Sequence, residues 1–282
     1  MVVYPLQGVQ ANTMFFSTVG ASVVASSDVE TYASFCDKFP GLKSLSLQTG
    51  NVGRDKRVCE QQTTTWLFLQ SNGTATVTFS DSSRRASMLL GLLMSAYRIK
   101  SHPNAFVHSM GHVIDTATQF SGGRAAYSVR GQNCGPLLHA TVGICKFDDT
   151  LLLACERWLQ KMKAAATDLG QRALAAARWV NHAVVSSGTT RFLFLFFAID
   201  ALFGERHYVL ETIRRGVVGS AGHEWDARCE RLFKLRSELV HGGAPSVSEW
   251  SEYERYRDHF DSEPEDDMEL LAATCLMNYW GK

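Results

Sequence analysis

At 282 residues, with 45% hydrophobic and 20% charged side chains and a formal net charge of zero, the chain excludes a disordered, collagenous or low-complexity protein. It is long enough for one large or two modest domains. Balanced charge supplies no long-range field toward nucleic acid, membranes or acidic ligands, so any anion site must be local.

The opening residues MVVYPLQGVQ lack the basic and apolar regions of a secretory signal. The longest apolar run, 192–203, contains Asp200 and falls short of the ~20 residues needed to cross a bilayer. A cytoplasmic chain without a membrane contact is the expectation. Seven cysteines, scattered and without a C-x-x-C pair, point to reduced and mostly interior thiols rather than a disulfide framework or a zinc knuckle.

In chain order, the first clear element is WLFLQ-SNG-TATVTFSD, 66–81. Its β-branched and aromatic residues flank Asn72-Gly73, the pair that favours a tight hairpin turn. Residues 84–100 read as a helix, and 101–136 are rich in glycine and polar residues with little periodicity. The pattern changes at Asp148-Asp149, which predicts a domain boundary. Beyond it, apolar residues recur every three or four positions over 151–167, 171–185, 191–203, 206–217, 224–241, 248–260 and 265–279. Glycines at 170, 188, 204, 219, 222, 242 and 243 mark the breaks. The predicted fold class is α+β: a mixed α and β region over 1–148, of unknown role with a sensory or regulatory one as the candidate, followed by an all-α helical bundle over 149–282. Half of the acidic residues of the second half fall between Glu249 and Glu269, which reads as a solvated face.

The helix 224–241 carries the candidate chemistry. Its apolar stripe runs through Trp225, Cys229, Leu232 and then Leu239 or Val240, and Arg236 falls on that stripe. A guanidinium keeps its charge, so an apolar position costs several kcal/mol unless a carboxylate, a phosphate or an interface receives it. Five residues on, His241 precedes Gly242-Gly243. It therefore occupies the last turn, where a helix dipole favours positive charge. Five residues rotate two side chains by about 140° on an ideal helix, which is poor geometry for one atom. Two such helices across a two-fold axis would bring two arginines and two histidines to one cleft suited to a phosphodiester.

Arg-Ser-Glu-Leu-Val-His, 236–241, followed by Gly-Gly, resembles the R-x4-H motif of HEPN domains, dimeric helical bundles that often act as metal-independent RNases. Ala176-Ala177-Arg178-Trp179 followed by 191–203, RFLFLFFAIDALF, is similar to the pattern of the Apea-like HEPN group. Asp200 stands where that group usually has Glu. The resemblance covers roughly residues 150–280. It implies cleavage of single-stranded RNA by attack of the 2′-hydroxyl, without a cofactor or a metal. His241 would be the general base or acid, Arg236 the group that stabilises the phosphorane, and Asp200 would hold Arg236 or orient His241. Ser237, Arg228 and Arg231 are the candidates for contacts to the RNA. The resemblance further implies a homodimer through the bundle and a role in prokaryotic antiphage defence or toxin-type growth arrest, with a trigger ligand or protein sensed by the N-terminal region. The competing class is an inactive HEPN-like module that binds RNA or nucleotides, or only dimerises.

Other features read as structure. His108 and His112 have metal-ligand spacing, but HSMGH lacks the Glu of a zincin and contains Gly111. The glycine-rich pieces at 121–124 and 130–132 match no phosphate loop. The Phe-rich run 192–203 reads as a core helix, and Arg214-Arg215 as exposed arginines that carry no assignment.

Overall fold

In a computed structural model of the chain, the residues described are 2–6, 9–25, 27–38, 65–69, 75–100, 116–121, 124–130, 145–205 and 207–281. They form two compact units. The first contains Met1–Ser87 and Asn104–Leu159, and the second Met88–Pro103 and Gln160–Lys282. This division differs from a single cut at Asp148-Asp149. Residues 88–103 join the C-terminal helices, and the opening of the helix Asp149–Ala164 belongs with the sheet.

The first unit is built on a six-stranded antiparallel sheet in the order β3 (Met14–Phe16), β4 (Ala21–Ala25), β5 (Thr65–Leu69), β1 (Val2–Leu6), β6 (Thr116–Ser121) and β7 (Arg124–Arg130). Strands β2 (Val9–Ala11) and β8 (Cys145–Phe147) form a separate parallel pair. All five residues of β4 are buried, so both faces of this strand are covered. Helices α1 (Val29–Lys38), the first half of α2 (Ala75–Lys100) and most of α3 (Asp149–Ala164) complete the unit. The hydroxyls of Ser17 and Thr18 donate to Glu156 of α3 at 3.2 and 3.3 Å. This gives a carboxylate that is only 7% exposed polar partners in place of water.

The hairpin expected at 66–81 does not form. Residues 65–69 are a strand, but the segment from Ala75 is helical, and Asn72-Gly73 lies outside the described residues. Both edges of β5 are taken, by β1 and β4, so a second hairpin strand would have no free edge to join. The β-branched residues after Gly73 instead begin a helix whose later turns, from Ala86 to Met94, are almost wholly buried. Tertiary packing overrides local strand preference here.

The second unit is helical. After the second half of α2 come α4 (Thr167–Val184), α5 (Gly188–Phe203), α6 (Val209–Ala221), α7 (Asp226–His241), α8 (Tyr253–Phe260) and α9 (Pro264–Asn278). These elements and α3 fall where the periodicity places helices, and α8 starts later than expected, at Tyr253. Helix α5 is the centre, packed on α4 and α9 and burying Phe192, Leu195, Phe196, Ile199 and Leu202. Each such side chain contributes about 1.5–3 kcal/mol on burial. Gly91 is required by packing: a Cβ there would lie 1.8 Å from the carbonyl oxygen of Ala177, so α2 and α4 meet backbone to backbone.

Two acids of the run 249–269 are buried, contrary to the solvated face expected of them. Glu269 is 4% exposed and accepts from Arg98 of α2 at 2.5 Å and from Arg191 of α5. Asp267, also 4% exposed, accepts from the Tyr256 hydroxyl and the Ser262 hydroxyl, each at 2.7 Å, and pairs with Arg228. The signal was present in sequence: the buried stripe of α9, 264, 267, 268, 271, 272 and 275, passes through Asp267 at helical spacing.

Candidate functional site

Helix α7 is entered through Gly222, whose φ of 109° lies outside the range side chains favour. It ends at Gly242, which adopts the left-handed conformation with φ 79°. A Cβ at Gly242 would meet nothing within 4 Å, so backbone conformation and not space calls for glycine. The N–H groups of Gly243 and Ala244 bond back to the Glu238 carbonyl at 2.8 and 3.3 Å. This stop leaves His241 as the last helical residue, with its side chain exposed.

The buried positions of α7 are Cys229, Leu232 and Leu235, which turns Arg236 to the margin of that stripe, half-buried. Its guanidinium lies over the ring of Phe196, 5.4 Å from the centroid, and Phe196 in turn meets Phe233 edge-on at 5.6 Å. The Nε of Arg236 is buried and has no hydrogen-bond partner. The cation is therefore held by aromatic faces rather than by an acid.

Asp200 sits on α5 one turn after Phe196. Burial raises its carboxyl above the ordinary value, and the charges of Arg236 and Arg172 oppose that rise. No hydrogen bond or ion pair joins Asp200 to Arg236 among the described residues. The carboxylate folds instead toward the end of α5: a Cβ on Gly204 would lie 2.0 Å from Asp200 Oδ1. Arg172 secures that end by donating to the carbonyls of Ala201 and Gly204 at 2.9 and 2.7 Å. Asp200 thus acts on Arg236 through its field and does not grip it.

Arg228 and Arg231 are engaged in the fold. Arg228 pairs with Asp267, donates to the Phe260 carbonyl at 3.0 Å and lies against the rings of Trp225 and Phe260. Arg231 shares Glu252 with Lys234, at 3.0 Å from Arg231. Ser237 is half-buried and makes no side-chain hydrogen bond among the described residues. Arg236, Ser237 and His241 therefore retain polar groups that the fold does not consume, whereas Arg228 and Arg231 have acidic partners. Burial pushes the Cys229 thiol up to about 12, which removes it as a nucleophile.

Among the described residues no group of three or more His, Cys, Asp or Glu could hold a metal ion. His108 and His112 lie outside them. Cys145, Cys155, Cys229 and Cys275 are buried and form no disulfide among the described residues, and no described helix is long and apolar enough to cross a membrane. Comparison with family models, with curated proteins and with solved structures finds no match for this chain.

Proposed function

We propose that the chain is a metal-independent endoribonuclease of HEPN type that cleaves single-stranded RNA, with the helices of 149–282 as its HEPN-like bundle. The observation that carries this reading is the Arg236 guanidinium, half-buried over Phe196 with an Nε that no acceptor satisfies. A buried donor left unsatisfied costs about 1–3 kcal/mol, so an arginine kept there for stability alone would be expected to find an acid. Arg236 has no acidic partner among the described residues, and its forked Nη donors suit the oxygens of a phosphate.

The chemistry needs one proton acceptor, one proton donor and one cation. His241 takes the proton of the ribose 2′-hydroxyl, whose oxygen attacks phosphorus. The bond to the 5′-oxygen breaks, and that oxygen takes a proton from an imidazolium. The products are a 2′,3′-cyclic phosphate and a 5′-hydroxyl. Arg236 stabilises the charge that develops on the phosphorane oxygens, and the Asp200 carboxyl interacts with Arg236 through its field without bonding to it. On one helix Arg236 and His241 are about 140° apart, so the site is assembled across a two-fold axis from two copies, each lending one pair. The resemblance of 176–179, 191–203 and 236–243 to Apea-like HEPN domains supports this arrangement, a cytoplasmic setting and a role in antiphage growth arrest. In that role the N-terminal region senses the trigger.

The reading is tested with a single-stranded RNA and a DNA of the same sequence, in EDTA. Cleavage of RNA alone, leaving 2′,3′-cyclic phosphate ends, supports it. Cut DNA, or RNA fragments with 3′-hydroxyl ends, contradicts it.

A further inference from the structure

We propose that a cavity in the helical unit is a binding site for a small planar aromatic anion. The cavity has a volume of about 420 Å³, inside the ~300–1,000 Å³ of ordinary small-molecule sites. It lies where the start of α4, the end of α5, the middle of α6 and the residues after α9 converge. Neither Arg236 nor His241 lines it, so it stands or falls separately from RNA cleavage.

Three aromatic rings form its walls. Phe203 and Tyr279 meet at 5.9 Å and 46°, and Tyr279 and Trp280 at 4.8 Å and 72°. Rings set at an angle to one another present both faces and edges, which suits an inserted aromatic ring better than an aliphatic one. The Phe203 wall is fixed by Gly216: a Cβ at that position would lie 2.2 Å from the Phe203 ring, so the ring rests directly on the backbone of α6.

Among the described lining residues, Arg172 and Arg215 outweigh the carboxylate of Glu205, which favours an anion. Arg172 is pinned by the Ala201 and Gly204 carbonyls through Nε and Nη2, which leaves its Nη1 donors for a ligand. Among the described residues Arg215 pairs with Glu211, at 2.8 Å on the same helix, with both side chains about 70% exposed. Such solvated pairs are weak, and an anion entering the cavity can draw Arg215 away. Burial, with the charge of Asp168 adding to it and that of Arg172 opposing, raises the Tyr279 hydroxyl above its ordinary value, so it offers a neutral O–H donor. The volume admits a two-ring molecule.

The test titrates the full chain with naphthalene-2-carboxylate by calorimetry. Naphthalene-2-carboxamide and cyclohexanecarboxylate serve as probes lacking the charge and the aromatic ring respectively. Saturable one-to-one binding of the carboxylate is expected, with both other probes at least about fivefold weaker. Arg215→Gln should weaken the carboxylate by about fivefold and leave the carboxamide unchanged. Leu169→Trp, at a lining position 41% exposed, should abolish binding while its melting curve stays that of the wild type. No saturable binding at millimolar probe, equal binding of the three probes, or full affinity in a folded Leu169→Trp variant would overturn the site.

Discussion

The guanidinium of Arg236 rests on the ring of Phe196, 5.4 Å from its centroid, while the nearest acid on that helix, Asp200, turns toward Gly204 instead. The pairing is a cation on an aromatic face with one buried N–H left without an acceptor. Its consequence is a separation of stability from activity at this position. Arg236→Met keeps the stem that covers Phe196 and removes the unsatisfied donor, so stability should hold or rise by about 1 kcal/mol. RNA cleavage by the same variant should fall by about 10²–10³-fold. Urea denaturation and a cleavage time course, run on one preparation, give both numbers.

Glu269 behaves in the opposite way. It is wedged between Arg98 and Arg191, and removing it strands Arg98, itself only 3% exposed. Glu269→Ala should cost about 3 kcal/mol or more in urea denaturation, and more at pH 5 than at pH 8, because it leaves Arg98 without its buried partner. The double variant Glu269→Leu/Arg98→Met should recover much of that loss.

The same carboxyl should impose a pH dependence. Burial pushes Glu269 up to about 7, against the pull of Arg191 and Arg98, from an unfolded value of 4.5. Between those values the folded chain holds a proton that the unfolded chain has released. The stability from this group is thus complete below about pH 4.5 and is lost as pH rises through about 7. Wild type minus Glu269→Gln, measured by urea denaturation from pH 4.5 to 8, should fall with rising pH. A flat or rising difference would show that the two arginines keep the carboxylate ionised throughout.

Gly91 sets a steric limit. With a Cβ predicted 1.8 Å from the Ala177 carbonyl oxygen, Gly91→Ala must push α2 off α4. The cost should reach about 3 kcal/mol or more, the upper range for overpacking, despite the better helix propensity of alanine. Thermal melts of Gly91→Ala and of Gly188→Ala, where a Cβ meets nothing within 4 Å but φ is 53°, separate a clash from backbone strain. The first should lower the melting temperature more.

Local physics made the helices of 149–282 legible. An amphipathic helix writes its buried face every three or four residues, and glycine stops such as Gly242 mark where the chain must turn left-handed. The strand 65–69 was legible for the same reason. Its continuation was not, because the outcome depended on β1 and β4 occupying both edges of β5, a fact that lies far away in sequence. The ion network Arg98–Glu269–Arg191 was unreadable on similar grounds, since its members are 78 and 171 positions apart. Arg236 could be singled out because a charge on an apolar stripe is locally anomalous. That an aromatic ring and not Asp200 would receive it depended on where α5 ends.

The central claim is that Arg236 and His241 act together on the RNA backbone. The most direct measurement compares cleavage of a labelled single-stranded RNA in EDTA by wild type, Arg236→Ala, His241→Ala and the double variant, each confirmed as folded. Loss of cleavage by about 10²-fold or more in each single variant, with little further loss in the double, is the expected result for groups that work as a unit. Cleavage at the wild-type rate by the folded double variant would contradict it.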